Sequence, residues 1–404
     1  MKHRRFLAAL LAAAVLCPLA ALAAGEKNVD NLPTGNLEGF ESSITWFGED
    51  FAYDITDEEA CWELLQRPIT VLDVSEKELV YPRVSPNGEK VVNEWMGGSI
   101  NGSLAAVHVL GEDEDGWTLI EGMDYYDRII RGYVKTSLLK TVTPNNKYGI
   151  IIDKLTQRLY MFIDGKLWSS CAVSTGLPNK DQPYNETAAG EYLIGSWVGG
   201  FDSEGMYCEM GIRFNGGDLL HQVPYVEFAD GTKDFSKYGS QLGRKASHGC
   251  VRVARTANDE GLCISWLWEN LKKNTKVVVW DDDGRTLPYP DDDLEVYYNP
   301  DGGTSYHATA TCRSVRDKYL PLTAFTYGEL DSGKYASLTG CTNCIPVKRR
   351  AEIDEINQER IDLGELLKNP VYTGGATTGG GAQADGSAAS DSPEASDGVT
   401  ITIR

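Results

Sequence analysis

The feature that most constrains this chain is a short segment at residues 241–253, which reads QLGRKASHGCVRV. It places Cys250 directly after His248 and Gly249, and another histidine, His221, lies upstream in the stretch DLLHQVPY. Histidines are scarce, because the whole chain of 404 residues contains only 5 of them. A cysteine in this setting is a better candidate for a nucleophile than for a packing residue.

The chemistry of a thiol explains why these residue types belong together. A thiol attacks an amide carbonyl only as its thiolate, and a free cysteine with a pKa of about 8.5 is mostly protonated near neutral pH. A nearby imidazole either takes the proton or lies beside the thiolate as imidazolium. Glycine before the cysteine lets the main chain turn tightly, and backbone N–H groups then hold the charge of a tetrahedral intermediate. The motif predicts covalent catalysis by Cys250 but does not decide which histidine is the base.

The segment around the cysteine also matches a family signature. Residues 247–252 (SHGCVR), with the preceding Leu-Gly at 242–243, resemble the signature of the L,D-transpeptidases that cross-link bacterial peptidoglycan, which share the YkuD-type catalytic domain. Residues 210–221 (MGIRFNGGDLLH) resemble the strand, turn and histidine that precede this signature. Residues 187–192 (TAAGEY) are similar to the family's TPxGxY stretch, with Ala188 where proline is usual. The resemblance covers residues 145–280.

This resemblance implies a role for each matching residue. Cys250 would be the nucleophile that attacks the peptide bond after the L-centre of the diamino acid in a tetrapeptide stem, and His221 would be the general acid/base. Backbone N–H groups around Gly249 and Cys250 would form the oxyanion hole. Arg252 would order the loop or meet a substrate carboxylate. His248 is either a catalytic helper or an organiser of the loop.

The implied reaction releases terminal D-alanine, leaves a thioester on the cysteine, and transfers the stem to the side-chain amine of a second stem as a 3-3 cross-link. The same chemistry would serve an L,D-carboxypeptidase or an enzyme that attaches proteins to peptidoglycan. A non-enzymatic wall-binding protein is the alternative of another class, and the intact Cys250 and His221 argue against it. Residues 222–245 exceed what compact members carry, so we expect an extra loop in which Tyr225, Asp230 and Tyr238 are candidates to shape the substrate groove.

The start of the chain predicts export. It has a basic beginning, an apolar run from Phe6 to Leu22 and small residues before the end of the segment, so residues 1–23 read as a secretory signal peptide. An uncleaved anchor is the alternative, although the run is shorter than the roughly 20 residues a membrane helix needs. Cys17 lacks the small preceding residue expected at a lipidation site. We therefore expect a secreted or wall-associated, extracytoplasmic protein that is free of the membrane after cleavage.

The net charge limits the expected partners, and the cysteine content limits the expected disulfides. The net charge of -21 argues against nucleic acid and anionic membrane surfaces. The implied partners are peptidoglycan stem peptides, with no cofactor for catalysis. The cysteines are too sparse for a disulfide scaffold. Pairing among four of them cannot be assigned from the sequence: Cys61, Cys171, Cys208 and Cys263.

Hydrophobic periodicity predicts a mainly β protein with several units. Residues 24–68 read as a polar N-terminal segment with a short helix. Residues 69–143 show short alternating runs broken by turns and resemble bacterial SH3-like barrels, as a wall-binding accessory or as a spacer. His108 in this unit reads as a packing residue. Residues 145–280 predict a mostly β domain whose one helix lies at 257–271. The resemblance to the L,D-transpeptidases implies that this domain is a β-sandwich or barrel with the catalytic site.

The C-terminal region is predicted to carry a small Cys/His module at 295–350, a helix at 351–368 and a disordered low-complexity tail at 369–404. His307, Cys312, Cys341 and Cys344 have the residue types and the close CxxC pair of a structural Cys3His zinc site. A disulfide between two of the three cysteines is the competing interpretation outside the cell.

Overall fold

The computed structural model describes residues 35–36, 52–91, 98–112, 115–124, 129–179, 182–203 and 205–368. The predicted signal peptide, most of the polar N-terminal segment and the low-complexity tail lie outside these residues. Within them, no helix combines the length and apolar character needed to cross a membrane.

The first part of the chain forms one short helix and eight short strands: β1 (Gly35–Asn36), α1 (Glu58–Gln66), β2 (Ile69–Leu72), β3 (Leu79–Val80), β4 (Ile100–Asn101), β5 (His108–Glu112), β6 (Trp117–Met123), β7 (Ile129–Lys135) and β8 (Leu139–Val142). The side chain of Asp57 caps α1 by accepting from the Ala60 N–H at 3.0 Å. Two glutamates in the first turn complement the helix dipole. The helix predicted from this acid-rich turn is confirmed.

Strands β1 to β8 pair only antiparallel, as a sheet in the order β1-β7-β6-β5 and two separate pairs, β2-β8 and β3-β4. Six apolar side chains of these strands join Val107 in one buried cluster: Leu72, Val80, Ile100, Ile120, Ile130 and Val134. Ile69 and Val71 of β2 belong to a separate cluster. The short strands predicted here are confirmed, whereas the likeness to an SH3-like barrel stays a prediction.

The second part forms eleven strands and two helices: β9 (Tyr148–Asp153), β10 (Arg158–Ile163), β11 (Lys166–Ser174), β12 (Gly190–Leu193), β13 (Trp197–Ser203), β14 (Met206–Arg213), β15 (Leu219–Gln222), β16 (Val226–Glu227), β17 (Lys233–Asp234), α2 (Ser236–Gly239), β18 (Val251–Val253), α3 (Ile264–Asn270) and β19 (Lys276–Trp280). Nine of these strands make one sheet in the order β12-β19-β9-β10-β11-β18-β15-β14-β13. Its pairs are antiparallel except β19 with β9 and β15 with β18. The mainly β fold is confirmed.

The centre of the nine-stranded sheet is buried on both faces. Side chains alternate along a strand, and Ile150 and Ile152 of β9 join the main core while Ile151 joins a second cluster. That second cluster contains Cys61, Leu64 and Leu65 of α1. The helix of the N-terminal segment therefore packs on the sheet of the predicted catalytic domain, which the sequence did not indicate.

The predicted helix at 257–271 is wrong in its first half. Helix α3 begins only at Ile264, because the preceding residues close a loop. The side chain of Asn258 accepts from the Leu262 N–H at 2.8 Å, and Gly261 has a φ of 98°. A left-handed glycine and a side chain that captures a backbone donor both interrupt helical hydrogen bonding.

The third part contains β20 (Glu295–Tyr298), β21 (Ser305–His307), β22 (Thr323–Thr326), β23 (Thr339–Gly340) and α4 (Arg350–Lys368). The strands form a sheet in the order β22-β20-β21-β23, over a small aromatic core. The helix predicted at 351–368 is confirmed as α4. It docks on the loop after β19, where Asn357 bonds to both backbone groups of Leu287.

Candidate active site

Two parallel strands bring the predicted catalytic residues to one face of the sheet. Strands β15 and β18 pair so that Leu220 lies opposite Val251 and His221 lies opposite Arg252. Leu220 and Val251 point into the main core. Because side chains alternate, His221 and Arg252 point to the other face. Cys250 directly precedes β18, two residues from Arg252, and so joins that face.

Cys250 is half-buried and, like the other cysteines of the described part, forms no disulfide. Burial raises the pKa of its thiol to about 12, and the carboxylate of Asp218 adds to this rise. The backbone N–H of Leu219 and the charge of Arg252 oppose it. The group is therefore a thiol, and not a thiolate, at neutral pH.

His221 is buried, and its ring orientation is set by one hydrogen bond. The ring Nδ1 lies 2.7 Å from the carbonyl oxygen of Gln222, so Nδ1 carries the hydrogen and Nε2 is the acceptor. The ring of Phe201 meets the imidazole edge-on at 5.3 Å between centroids. Burial lowers the pKa of His221 to about 4 although the Gln222 carbonyl opposes this. The imidazole is therefore neutral and able to accept a proton.

The thiol and the imidazole are not in direct hydrogen-bond contact among the described residues, since the ring of His221 is bonded through Nδ1 to Gln222 alone. Catalytic hydrogen bonds are often long in enzymes without substrate and tighten when substrate binds. Both side chains interact with the same Arg252 charge. The two side chains thus share one face of the sheet and the field of one cation, without a direct hydrogen bond between them.

The backbone around the cysteine is fixed by two hydroxyl groups. The Thr187 hydroxyl donates to the Gly249 carbonyl at 2.6 Å and accepts from the Gly176 N–H at 2.8 Å. The Ser247 hydroxyl donates to the carbonyl of Cys250. The Gly249 carbonyl shares its peptide plane with the Cys250 N–H, so the Thr187 bond holds one of the two oxyanion-hole candidates in place.

Arg252 and His248 occupy different environments. Arg252 is buried, donates from Nη1 to Oε1 of Gln241 at 2.7 Å, and lies 5.4 Å from the ring centroid of Tyr238. These contacts suit a residue that orders the loop before Cys250. His248 is exposed. The structure thus separates the two histidines by burial, which the sequence alone did not.

Asp218 is a site residue that the sequence reasoning missed. Its Oδ1 lies 2.7 Å from the position that a Cβ on Gly249 would occupy, and its Oδ2 accepts from Asn215 Nδ2 at 3.1 Å. Burial raises the pKa of this carboxyl to about 6, while Asn215 and Arg213 oppose the rise. The available signal was an acid three residues before His221, in NGGDLLH.

A buried network of charges lies behind the motif. Lys245 Nζ is 2.9 Å from Glu186 Oε1 and 2.9 Å from Asp282 Oδ2. Lys154 Nζ lies 2.7 Å from the same Glu186, and Arg360 of α4 lies 2.7 Å from the same Asp282. The network joins the loop before Cys250, the segment before Thr187 and the C-terminal helix.

The expected extra loop at 222–245 contains the small hairpin β16–β17 and the single turn α2. The Tyr225 hydroxyl donates to Glu209 at 2.8 Å, and Tyr238 is buried against Arg252. Asp230 is exposed, in the turn between the two strands. Of the three groove candidates, only Tyr238 contacts a residue of the motif in these interactions.

The four residues of the predicted Cys/His site come together. The ligand atoms of His307, Cys312, Cys341 and Cys344 lie within 4.8 Å of one another. Cys312 Sγ is 3.9 Å from Cys341 Sγ, and Cys344 Sγ is 3.7 Å from His307 Nδ1. The parallel pairing of β21 with β23 brings His307 to the CxxC segment. Three thiols and one imidazole are donors that structural zinc takes.

The comparisons with known proteins agree with the motif. Residues 147–279 match the family model of the YkuD L,D-transpeptidase catalytic domain. A search of curated proteins finds no match. The family match therefore concerns this one segment of the chain.

Solved structures of similar proteins include three bacterial ones. A fused zinc-dependent amidase/peptidase/peptidoglycan-binding domain-containing protein from Clostridium acetobutylicum is 19% identical, with 34% of this chain and 55% of that chain covered and a TM-score of 0.24. An L,D-transpeptidase from Stackebrandtia nassauensis is 22% identical, with 33% and 56% covered and a TM-score of 0.24. One from Mycobacterium tuberculosis is 17% identical, with 40% and 66% covered and a TM-score of 0.26. The chain thus spans little more than half the length of the first two.

Proposed function

Because residues 147–279 match the L,D-transpeptidase catalytic domain family, we propose that this protein is an exported peptidoglycan L,D-transpeptidase that acts through a cysteine thioester. One observation carries the proposal: a buried neutral imidazole, oriented by the Gln222 carbonyl, shares a sheet face with the only half-buried cysteine of the described catalytic segment. Cys250 is then the nucleophile and His221 is the general acid/base.

In acylation, Nε2 of His221 takes the thiol proton as the sulfur of Cys250 attacks the stem carbonyl. Both groups are neutral at rest, since burial raises the pKa of the thiol and lowers that of the imidazole. Proton transfer therefore accompanies attack, and the Gln222 carbonyl stabilises the imidazolium that forms. Backbone N–H groups of Gly249 and Cys250 bind the oxyanion. The imidazolium then protonates the departing D-alanine.

The thioester is resolved by the side-chain amine of a second stem, which gives a 3-3 cross-link. Water in place of the amine would give an L,D-carboxypeptidase, and a protein amine would give attachment to the wall. The predicted leader supports action outside the cytoplasm. A non-enzymatic wall-binding role is less well supported, because it assigns no use to the orientation of His221.

Acylation tests the assignment directly. We expect Cys250→Ala to form no covalent adduct with a tetrapeptide donor, and His221→Ala to acylate about 10²- to 10⁴-fold more slowly. Intact-mass spectrometry after acid quench measures both. Cys263→Ala, which removes a buried thiol of the same domain, and His248→Ala, which removes the exposed histidine, are the controls. An adduct on the Cys250→Ala protein would refute the assignment of Cys250 as the nucleophile. Loss of acylation in His248→Ala alone would assign the role of base to His248 in place of His221.

The products of wild-type protein with purified muropeptides distinguish the acceptors. Cross-linked dimers support transpeptidation, and trimmed tripeptides support the carboxypeptidase alternative.

We also propose that His307, Cys312, Cys341 and Cys344 hold one structural zinc ion. The donor set and the 4.8 Å grouping support it. The rival disulfide is less well supported, because Cys312, Cys341 and Cys344 are all free cysteines. The sulfurs of Cys312 and Cys341 lie 3.9 Å apart, whereas an S–S bond is about 2.05 Å long. A bound ion would stabilise a module whose own core is small.

A further inference from the structure

Asp218 lies beside the proposed nucleophile for a reason of strand register. In the parallel pairing of β15 with β18, Leu220 is level with Val251. Two residues earlier on each chain, Asp218 is level with Gly249, directly before Cys250. The carboxylate indeed approaches the Gly249 Cα so closely that Oδ1 would be 2.7 Å from a Cβ there.

This carboxylate has no ion-pair partner among the described residues. Oδ2 accepts from the amide of Asn215. Arg213, the cation that acts on it electrostatically, is engaged elsewhere. It donates to the Gly216 carbonyl and lies 3.9 Å from Glu76. A half-buried negative charge without a counter-charge is unfavourable unless a ligand supplies one.

The position is also unfavourable for the first half of the reaction. The charge of Asp218 raises the pKa of the Cys250 thiol and would repel a developing oxyanion. Asp218 therefore hinders acylation and has no ion-pair partner among the described residues. We expect such a group to act in the second half of the reaction, the transfer to the acceptor. There the incoming stem presents an amine, which is protonated in water near neutral pH.

We propose that Asp218 is a catalytic residue for the acceptor, whose carboxylate binds the ammonium of the incoming side chain and removes a proton from it before attack on the thioester. This inference rests on the proposed function. In this proposal, Asp218 determines whether an amine or water resolves the thioester.

The step balances as follows. The carboxylate of Asp218 takes one proton from the ammonium and becomes a carboxylic acid. The neutral amine attacks the thioester carbonyl, a C–N bond forms and the C–S bond breaks. The second nitrogen proton passes to the sulfur of Cys250 by way of His221, which restores the thiol and the neutral imidazole. One amide proton remains, and Asp218 later releases its proton to solvent.

The two halves of the reaction should differ in pH dependence. Arg213, Cys250 and the neutral amide of Asn215 are the groups that act on Asp218, and burial raises its carboxyl pKa to about 6. The carboxylate is present above that pH and is lost below it. His221, next to Arg252, has a pKa lowered to about 4. Transfer to an amine should therefore decline below about pH 6, while acylation persists to lower pH.

The test uses Asp218→Asn in the full chain, because asparagine keeps the shape of the side chain and removes its charge. The acyl-enzyme is formed with a tetrapeptide donor, and its decay is followed by intact mass with and without a diamino-acid stem as acceptor. We expect acylation to be as fast as in wild type or faster, hydrolysis to be unchanged, and aminolysis to slow at least about tenfold. The break in the pH profile near 6 should disappear, and aminolysis by the variant should instead rise steadily with pH, because only the neutral fraction of the amine then reacts.

Asp164→Asn removes an exposed carboxylate from the turn between β10 and β11 and should leave all three rates unchanged. Asp218→Ser provides the same loss of charge if the asparagine variant does not fold. Unchanged aminolysis in a folded Asp218 variant overturns the inference, as does an equal loss of hydrolysis and aminolysis. Absence of any acyl-enzyme in wild type instead overturns the proposed function, and this inference with it.

Discussion

At the residue scale, Gly249 is required by two independent features. Its φ of 116° belongs to the region that side chains avoid. A Cβ would also stand 2.7 Å from Oδ1 of Asp218, closer than non-bonded atoms allow. The same glycine bears the carbonyl that Thr187 holds. Conformation and packing thus agree on glycine before the cysteine.

We predict that Gly249→Ala destabilises the fold by about 1–3 kcal/mol and nearly abolishes acylation, because the strained backbone shifts the N–H groups that we propose bind the oxyanion. Urea denaturation and the acylation rate are the measurements. Gly217→Ala is the matched control, since a Cβ at that exposed glycine meets nothing within 4 Å. Wild-type stability and acylation in Gly249→Ala would contradict the assignment.

At the element scale, a buried lysine joins helix α1 to the nine-stranded sheet. Lys276 of β19 donates from Nζ to the carbonyl oxygens of Leu64 at 2.7 Å and Arg67 at 2.9 Å. These carbonyls belong to the end of α1, where backbone acceptors lack helical partners. Lys276 also forms an ion pair with buried Glu191, which Arg67 approaches at 2.5 Å. The Lys276 ammonium therefore caps the end of α1 and neutralises the buried carboxylate of Glu191.

We predict that Lys276→Met costs about 3–5 kcal/mol, because it leaves Glu191 buried with only the more exposed Arg67. Chemical denaturation measures the loss. The control is Lys273→Met, which removes a side chain that is 70% exposed and should change stability by less than about 0.5 kcal/mol. The double variant with Glu191→Gln should recover part of the loss. A change as small as in the control would show that α1 does not depend on this cap.

At the scale of the whole molecule, the C-terminal part is tied to the loop that carries the motif. Lys348 donates to the Gly243 carbonyl at 3.2 Å, and Arg360 of α4 joins the charge network of Lys245 and Asp282. Gly243 and Lys245 both belong to the segment 241–253 that contains Cys250. Loss of order in the C-terminal module would therefore remove contacts that hold the segment before Cys250.

We predict that a zinc chelator lowers the thermal midpoint of the C-terminal module, since binding of a structural metal contributes folding free energy. Calorimetry of the full chain, with metal analysis before and after chelation, measures this. Cys341→Ser should melt early and no longer respond to the chelator. Identical melting of wild type with and without chelator would remove the zinc proposal.

The sequence by itself determined the features that depend on neighbours in the chain. The SHGC turn, the acid-capped helix α1, and the strands β9 and β19 are local patterns of residue type and period. These features could therefore be predicted from the sequence. The helix predicted at 257–271 was too long at its start, because Asn258 and Gly261 form a loop that the pattern of apolar residues does not reveal.

Only the tertiary structure decided what depends on register and burial. The parallel pairing of β15 with β18 sets His221 on the face of Cys250 and places Asp218 beside Gly249. Burial distinguishes His221 from the exposed His248. These relations join residues far apart in the chain, and desolvation depends on everything packed around a group. A sequence pattern contains neither quantity, so the different burial of the two histidines and the position of Asp218 became visible only in the fold.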